Sequence, residues 1–464
     1  NYMTNKFFIY LIFFLIILKI IAIYFTGFSL YGDEAQYWLW SKSPDLGYYS
    51  KPPLLAWFLY GYTTLFGDSF VTLKIFPIVV YFFISFAIYK LCISLSLTKS
   101  SSKICALSFL IIPAASLSSF LISTDLLLLL FWTLSMLILL NTRVVNSTYN
   151  FFLLGLFLGL AFLAKYAAIY FLLSLLLLVI VDKKTLAVFK NNLFGSFVFI
   201  LSFLFVLVPN IWWNLNNNWV TLSHTSDNAN LQNLDLNLYE PLKFLGAQIL
   251  MLGPFLFFSF VFFLKYFRLD FQNKFLLIFS LPIFLIVLIE SFLVRANANW
   301  AAPALISSFV LLFRLINIKK LILIKINFVF NYLIAILLFG SILFTSENKV
   351  FDRIRGLDSF TKEILVIIKD NDLVISDRII FSNTSYQMRN QPNKIYMPFN
   401  NNTAATNHFQ ISAPLSNIRK EKFFLIGVLG DISYLSKKHN GDLVKRFNVP
   451  FSSNQLELYE VNFK

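Results

Sequence analysis

Charge is what this sequence has least of. Asp, Glu, Lys and Arg make up 13% of its 464 residues, against about 25% in a soluble domain. A chain so poor in charge cannot cover its own surface in water. That excludes an ordinary soluble enzyme and sets a polytopic membrane protein as the expectation. Cysteine is nearly absent. Cys92 and Cys105 lie at the edges of apolar runs, near a basic loop (Lys99, Lys103) assigned to the cytoplasm, and neither a disulfide nor a metal site follows from them. The three histidines, His224, His408 and His439, are too scattered for a zinc-type ligand set. No Gly-rich phosphate loop and no dinucleotide fingerprint occurs, and no Ser/His/Asp set has usable order or spacing. A soluble nucleotide sugar is therefore not indicated as a substrate.

What is present is apolar and aromatic. Hydrophobic residues reach 58%, aromatics 18%, and the mean hydropathy is +0.72. The net charge of +15 would suggest nucleic acid in a soluble protein. Here Lys and Arg gather in short loops between apolar runs, the pattern that orients a chain in a bilayer. Membrane lipids and phosphates are the expected partners, and nucleic acid is not.

A spanning helix needs about 20 apolar residues. By that rule the sequence offers roughly eleven candidates, near 7–25, 70–97, 104–121, 126–142, 150–164, 166–182, 193–212, 244–264, 275–293, 301–316 and 326–344. The first follows Lys6, has no small-residue cleavage site after it, and reads as a retained span. Cationic loops then fall at alternate connections: Lys99/Lys103, Arg143, Lys183/Lys184/Lys190, Lys265/Arg268/Lys274 and Lys319/Lys320/Lys325. With Lys6, all share one face, which is expected to be cytoplasmic. The opposite, external face carries the long connections, about 26–69 and 213–243. Residues 34–42 suit a short helix lying in the interface plane, and 54–66 a second apolar stretch too short to span. Lys165 is expected at the outer turn of a short helical hairpin over 150–182. Near residue 346 apolar runs shrink to strand length and Asn, Ser and charge become common. The reading divides the chain into a membrane portion, 1–345, and a C-terminal soluble α/β or α+β domain, 346–464, with strands near 373–376, 394–397, 423–429 and 456–461 and a helix near 361–369.

Chemistry points to one loop. Asp33 and Glu34 sit just past the first apolar run. A carboxylate at a low-dielectric boundary has its pKa raised, as a general base for a hydroxyl requires. Adjacent carboxylates point in different directions, so one can act as base while the other holds the loop. Asp125 opens a later run and reads either as a helix cap or as a second acid. Lys51, Lys165 and Arg295 lie on the outer face against the charge bias, which a shared anion such as a lipid-linked phosphate explains. Glu290 is a competing ion-pair partner for Arg295. Lys19 and Lys74 lie within apolar runs and are read as snorkelling or packing residues.

Several motifs together resemble the bacterial GT-C glycosyltransferases, relatives of the protein O-mannosyltransferases and of the lipid A aminoarabinose transferase (ArnT). They are Asp33-Glu34-Ala35-Gln36-Tyr37-Trp38, Tyr48-Tyr49-Ser50-Lys51-Pro52-Pro53-Leu54, Phe66-Gly67-Asp68, Thr124-Asp125, Ala164-Lys165-Tyr166, Pro209-Asn210-Ile211-Trp212-Trp213-Asn214, Gly253-Pro254 and Asn299-Trp300-Ala301-Ala302-Pro303. The resemblance covers most of 1–315 and leaves the C-terminal domain unmatched. It implies a GT-C fold and inverting transfer from a polyprenyl (undecaprenyl) phosphate-linked sugar to a periplasmic acceptor, such as lipid A, another glycan or a protein. Asp33 matches the catalytic aspartate, Glu34 its neighbour, and Asp125 a second acidic position. Lys51 matches a lysine that contacts the carrier phosphate, with Lys165 and Arg295 as helpers. Tyr37, Tyr48, Tyr49, Asn299 and Trp300 are assigned to substrate positioning. Many relatives have His-Pro-Pro where this chain has Lys51-Pro52-Pro53, which leans toward the lipid-modifying branch. No cofactor is expected: a divalent metal could sit between carboxylates and phosphate, but the lysine can do that work. The expected location is the bacterial inner membrane, with the N-terminus cytoplasmic and the active site and C-terminal domain periplasmic. A flippase is the rival class, although repeated halves and midplane charges are not seen. A membrane scaffold displaying the external domain is a third.

Overall fold

A computed structural model describes residues 2–25, 28–229, 236–254, 256–258, 265, 267–319, 321–344, 349–399, 405–418, 421–438 and 440–462. The protein is a mostly helical, multi-pass membrane protein. Among the described residues, seven helices are long and apolar enough to cross a bilayer: Phe8–Phe25, Phe70–Ser94, Thr124–Val144, Leu193–Asn216, Phe271–Leu293, Ala298–Ile316 and Ile322–Phe344. An eighth arises if Tyr166–Val181 and Lys183–Asn191, bent by 103°, form one broken span.

The other expected spans differ for local reasons. The run near 104–121 is two short helices, Lys99–Phe109 and Pro113–Ser118. Pro113 starts the second because it lacks an N–H and cannot continue the first. The run near 150–164 is the 17-residue helix Thr148–Ala164. The expected span 244–264 lies partly outside the described residues. Contacts divide the chain into two units, 1–21 with 51–55 and 73–340, and 22–50 with 56–72 and 341–464.

Within the first unit, Thr148–Ala164 packs against Leu193–Asn216 and Thr124–Val144. Gly155 and Gly159 face the Leu193–Asn216 helix. A Cβ on Gly159 would sit 2.8 Å from Val206 Cβ, and one on Gly155 would collide with Ser202 Oγ and the Phe199 carbonyl. This is the small-xxx-small contact that membrane helices use for close approach. Lys19 and Lys74 are buried rather than snorkelling. Lys19 Nζ donates to Ser119 Oγ (2.7 Å) and the Ser116 carbonyl (3.2 Å), and Lys74 Nζ to the Phe120 carbonyl (3.3 Å). The C-terminal end of Pro113–Ser118 leaves carbonyls that these cations satisfy.

The second unit joins the first-loop helix Gly32–Lys42, most of the helix Leu54–Phe66, and the C-terminal segment. Its sheet has the order β2-β1-β3-β5-β4, with β1 Asp372–Ile375, β2 Ile395–Tyr396, β3 Lys422–Val428, β4 Asp442–Phe447 and β5 Leu456–Asn462. β1 runs parallel to β2 and β3; β5 runs antiparallel to β3 and β4. All four residues of β1 are buried, as a central parallel strand requires. Val374, Phe423, Leu425 and Val461 form the core with Ile432 and Leu435 of the helix Leu429–Lys438. The strand β4 has no counterpart in the sequence reading. Its residues 442–446 are exposed, so no apolar alternation marks it.

Candidate active site

In the second unit the helix Gly32–Lys42 sets the geometry. Glu34 is 1% exposed, and its Oε2 accepts the Tyr31 N–H at 2.8 Å. That satisfies one of the donors a helix N-terminus leaves unpaired and places a negative charge at the positive end of the dipole. Of the two adjacent carboxylates, Glu34 holds the loop. Asp33 points elsewhere: its side chain is half exposed, and its Oδ1 lies 3.2 Å from Arg378 Nη1. The same guanidinium nitrogen donates to Gln36 Oε1. Arg378 opens the helix Arg378–Gln387, capped by Asp377, whose Oδ1 accepts two backbone N–H bonds at 2.8 Å. This helix approaches closely because Gly32 has no Cβ. One added there would lie 2.6 Å from Ile379 Cγ2.

The other end of Gly32–Lys42 is fixed by Asp68. Lys42 Nζ is 2.6 Å from its Oδ2, Trp38 Nε1 donates to the same oxygen at 3.3 Å, and Arg389 Nε is 3.7 Å from its Oδ1. Partial burial opposes ionisation of Asp68. The bond and charge of Lys42, then Trp38 and Arg389, outweigh it and hold the carboxyl below its usual range. Tyr48 is fully buried and stacks on Trp40 at 4.4 Å. Its hydroxyl donates to the Trp40 carbonyl and accepts from the Asp45 N–H, and burial pushes its pKa up. Tyr37 is buried edge-on to Trp40. Both rings, assigned above to substrate positioning, lie inside the loop's own packing. Tyr49 is partly exposed.

In the first unit three segments converge. Asp125 lies in the first turn of Thr124–Val144, Lys165 caps Thr148–Ala164, and Asn299 lies in the 3₁₀ turn Ala298–Ala301. Lys165 Nζ is 2.7 Å from Asp125 Oδ1, with both side chains 14% exposed. Asn299 Nδ2 donates to Asp125 Oδ2 at 3.1 Å. Tyr166, next in sequence, donates to Asn210 Oδ1 at 2.7 Å and accepts from Asn214 Nδ2 at 3.3 Å. Lys165 adopts an extended backbone (φ −160°, ψ 133°), which ends the helix and separates its side chain from that of Tyr166. Gln248 Nε2 fixes the 3₁₀ turn through the Ala298 carbonyl at 2.9 Å, and Trp300 packs on Phe244, Val287 and Ala301. Lys51 is partly exposed and Arg295 exposed. Among the described residues Glu290 makes no ion pair with Arg295, and no three His, Cys, Asp or Glu side chains cluster as a metal site.

Comparison with known proteins identifies the fold. Residues 50–213 match the dolichyl-phosphate-mannose-protein mannosyltransferase family. The lipid A galacturonosyltransferase RgtD of Rhizobium johnstonii is 27% identical over 400 residues, 82% of each chain. Crystal structures of ArnT from Cupriavidus metallidurans, apo and bound to undecaprenyl phosphate, cover 98% of this chain and 98% of theirs, with TM-scores of 0.66 and 0.67 at 10% identity. The chain has the GT-C fold of ArnT. Its fold matches over almost the whole chain, including the C-terminal segment that the sequence motifs left unmatched.

Sequence reasoning missed Arg378, the ion partner of Asp33, because 345 positions of chain separate the two. Asp377 with Arg378 did carry a local signal, an N-cap opening a helix, but nothing in it points to Asp33. Asn210 and Asn214, four apart on one helix face, were visible as part of the Asn-Trp-rich motif and only the fold ties them to Tyr166.

Proposed function

We propose that the protein transfers a sugar from a polyprenyl (undecaprenyl) phosphate carrier to lipid A or a related glycan at the periplasmic face of the bacterial inner membrane, with its N-terminus in the cytoplasm. The carrying observation is the convergence of Asp125, Lys165 and Asn299 on a fold shared with an ArnT bound to undecaprenyl phosphate. The name of the relative RgtD supports lipid A as acceptor. The charge pattern of the loops supports the orientation.

In this reading Asp33 accepts the proton of the acceptor hydroxyl as its oxygen attacks the anomeric carbon. The bond from that carbon to the phosphate oxygen breaks, with inversion. The carrier phosphate leaves with the bonding pair, so no strong acid is required. Arg378 orients Asp33 through its 3.2 Å contact. Lys51, Lys165 and Arg295 are the cations proposed to meet the phosphate charge. Lys165 enters that role already balanced by Asp125. The pair therefore acts as a fixed dipole, held by Asn299, more than as a free positive charge. No divalent metal is required by this scheme.

A second reading has one observation in its favour. The match of 50–213 to the protein mannosyltransferase family supports a protein hydroxyl as acceptor. Mass spectrometry of lipid A, glycans and periplasmic proteins from a deletion strain separates the two. Loss of one sugar mass from lipid A is the expected result, and loss from a peptide instead selects the second. Reconstituted vesicles test the flippase class: the expected result is glycosidic bond formation, and carrier movement without it rejects the proposal.

A further inference from the structure

A cavity of about 980 Å³ lies wholly within the second unit, between the C-terminal half of Gly32–Lys42, the helix Arg378–Gln387 with the turn after it, and the short helix His408–Ser412. Its size is at the upper end of the range for small-molecule sites. Three cationic side chains line it, Lys42, Arg389 and Lys394, against one carboxylate, Asp68. Asp68 engages Lys42 and Arg389. Lys394 is exposed and leaves the wall with positive charge in excess. Asn390, Gln391 and Asn417 add exposed amides, each offering a donor beside an acceptor. Trp38 and Tyr396 supply aromatic surface.

Trp40 and His408 also line the cavity. Trp40 Nε1 and His408 Nδ1 are buried without a hydrogen-bond partner. Such groups carry a desolvation cost unless something satisfies them. The packing around them is otherwise close, with the His408 ring 5.0 Å from Tyr48 and 5.5 Å from Trp40. A wall that combines aromatic rings, paired amide donors and acceptors and excess positive charge is suited to a hydroxyl-rich ligand bearing an anion.

We propose that this cavity binds an anionic saccharide, a sugar carrying a carboxylate or a phosphate. We further assign it to the part of the acceptor glycan that does not react. Lys42 lies nine residues after Asp33 on one helix, roughly 13 Å along the axis at about 1.5 Å per residue. A saccharide held there leaves Asp33 to another part of the acceptor. Only this second assignment rests on the glycosyltransferase reading above; the binding does not.

The test is calorimetric titration of the full-length protein in detergent at low salt with digalacturonate, maltose 1-phosphate, maltose and inorganic phosphate. One or both charged disaccharides are expected to bind at least tenfold more tightly than maltose, with affinity that weakens as salt rises. The carboxylate and phosphate arms identify which anion is read. Lys394→Gln and the double variant Arg389→Gln/Lys394→Gln are expected to weaken that binding, the double by tenfold or more. Lys437→Gln, on the helix Leu429–Lys438 outside the cavity lining, should leave it at the wild-type value. Arg389 also stacks on Tyr386 at 4.3 Å, so the single Lys394 variant carries the test if the double fails to fold. Equal affinity for maltose, inorganic phosphate as tight as its maltose ester, or no effect of Lys394→Gln overturns the saccharide site. Sugar transfer in the absence of such binding leaves the glycosyltransferase reading intact and rejects this inference. Binding without any transfer does the reverse.

Discussion

At the scale of single residues, the two adjacent carboxylates divide their tasks by direction. Glu34 turns back onto the helix end, and Asp33 faces Arg378. Asp33→Asn should cut transfer by about 10²–10⁴-fold, the range for a lost general base, with the thermal midpoint little changed; near-wild-type turnover in a single-turnover assay would reject the assignment. Lys165→Gln removes the partner of a largely buried carboxylate and should lower stability by about 3 kcal/mol or less, given the residual exposure. Adding Asp125→Asn should recover much of that stability without recovering activity, which thermal melts and transfer assays can read side by side. His408 gives a pH signature. Burial outweighs the opposing influence of Asp45 and holds its pKa down to about 4, against about 6.5 unfolded. The folded state therefore binds fewer protons in that window. The contribution is complete above about pH 6.5 and is lost as pH falls toward 4, on the order of 3 kcal/mol in all. His408→Gln should flatten the stability profile between those values.

At the scale of elements, glycine decides which helices can touch. Gly155 and Gly246 both lie within helices, yet a Cβ at Gly155 meets the Phe199 carbonyl while one at Gly246 meets nothing within 4 Å. Gly155→Ala should lower the melting temperature and the folded yield. Gly246→Ala should be neutral or stabilising by up to about 1 kcal/mol from helix propensity. Gly32→Ala should push Ile379 away and with it the helix that carries Arg378, lowering transfer. Combining it with Ile379→Ala removes the colliding methyl group and should restore part of the activity, a double-mutant cycle that a purely local effect would not produce.

At the scale of the whole molecule, the helix bearing Asp33 belongs to the unit completed by the C-terminal sheet. Truncation after residue 344 removes Arg378 and Ser382, which contact Asp33 and the Gly32 carbonyl. It should abolish transfer and open residues 28–50 to proteolysis, instead of leaving partial turnover. Limited digestion of the truncated protein measures this directly.

The sequence by itself determined the membrane class, the first-loop helix, the short apolar helix Leu54–Phe66 and four of the five strands. Each of these is written in local hydrophobicity and turn chemistry, which need no distant partner. The fourth strand in chain order was illegible because its exposed side chains carry no alternation. The run near 104–121 misled because hydropathy registers apolar length, whereas Pro113 limits hydrogen bonding. Tertiary structure alone decided the pairing of Asp125 with Lys165 and Asn299 and the meeting of Asp33 with Arg378. These depend on which segments of a long chain come to lie side by side. That choice is made by close packing at glycines and by the balance of buried charges, and no window of the sequence contains both members of such a pair.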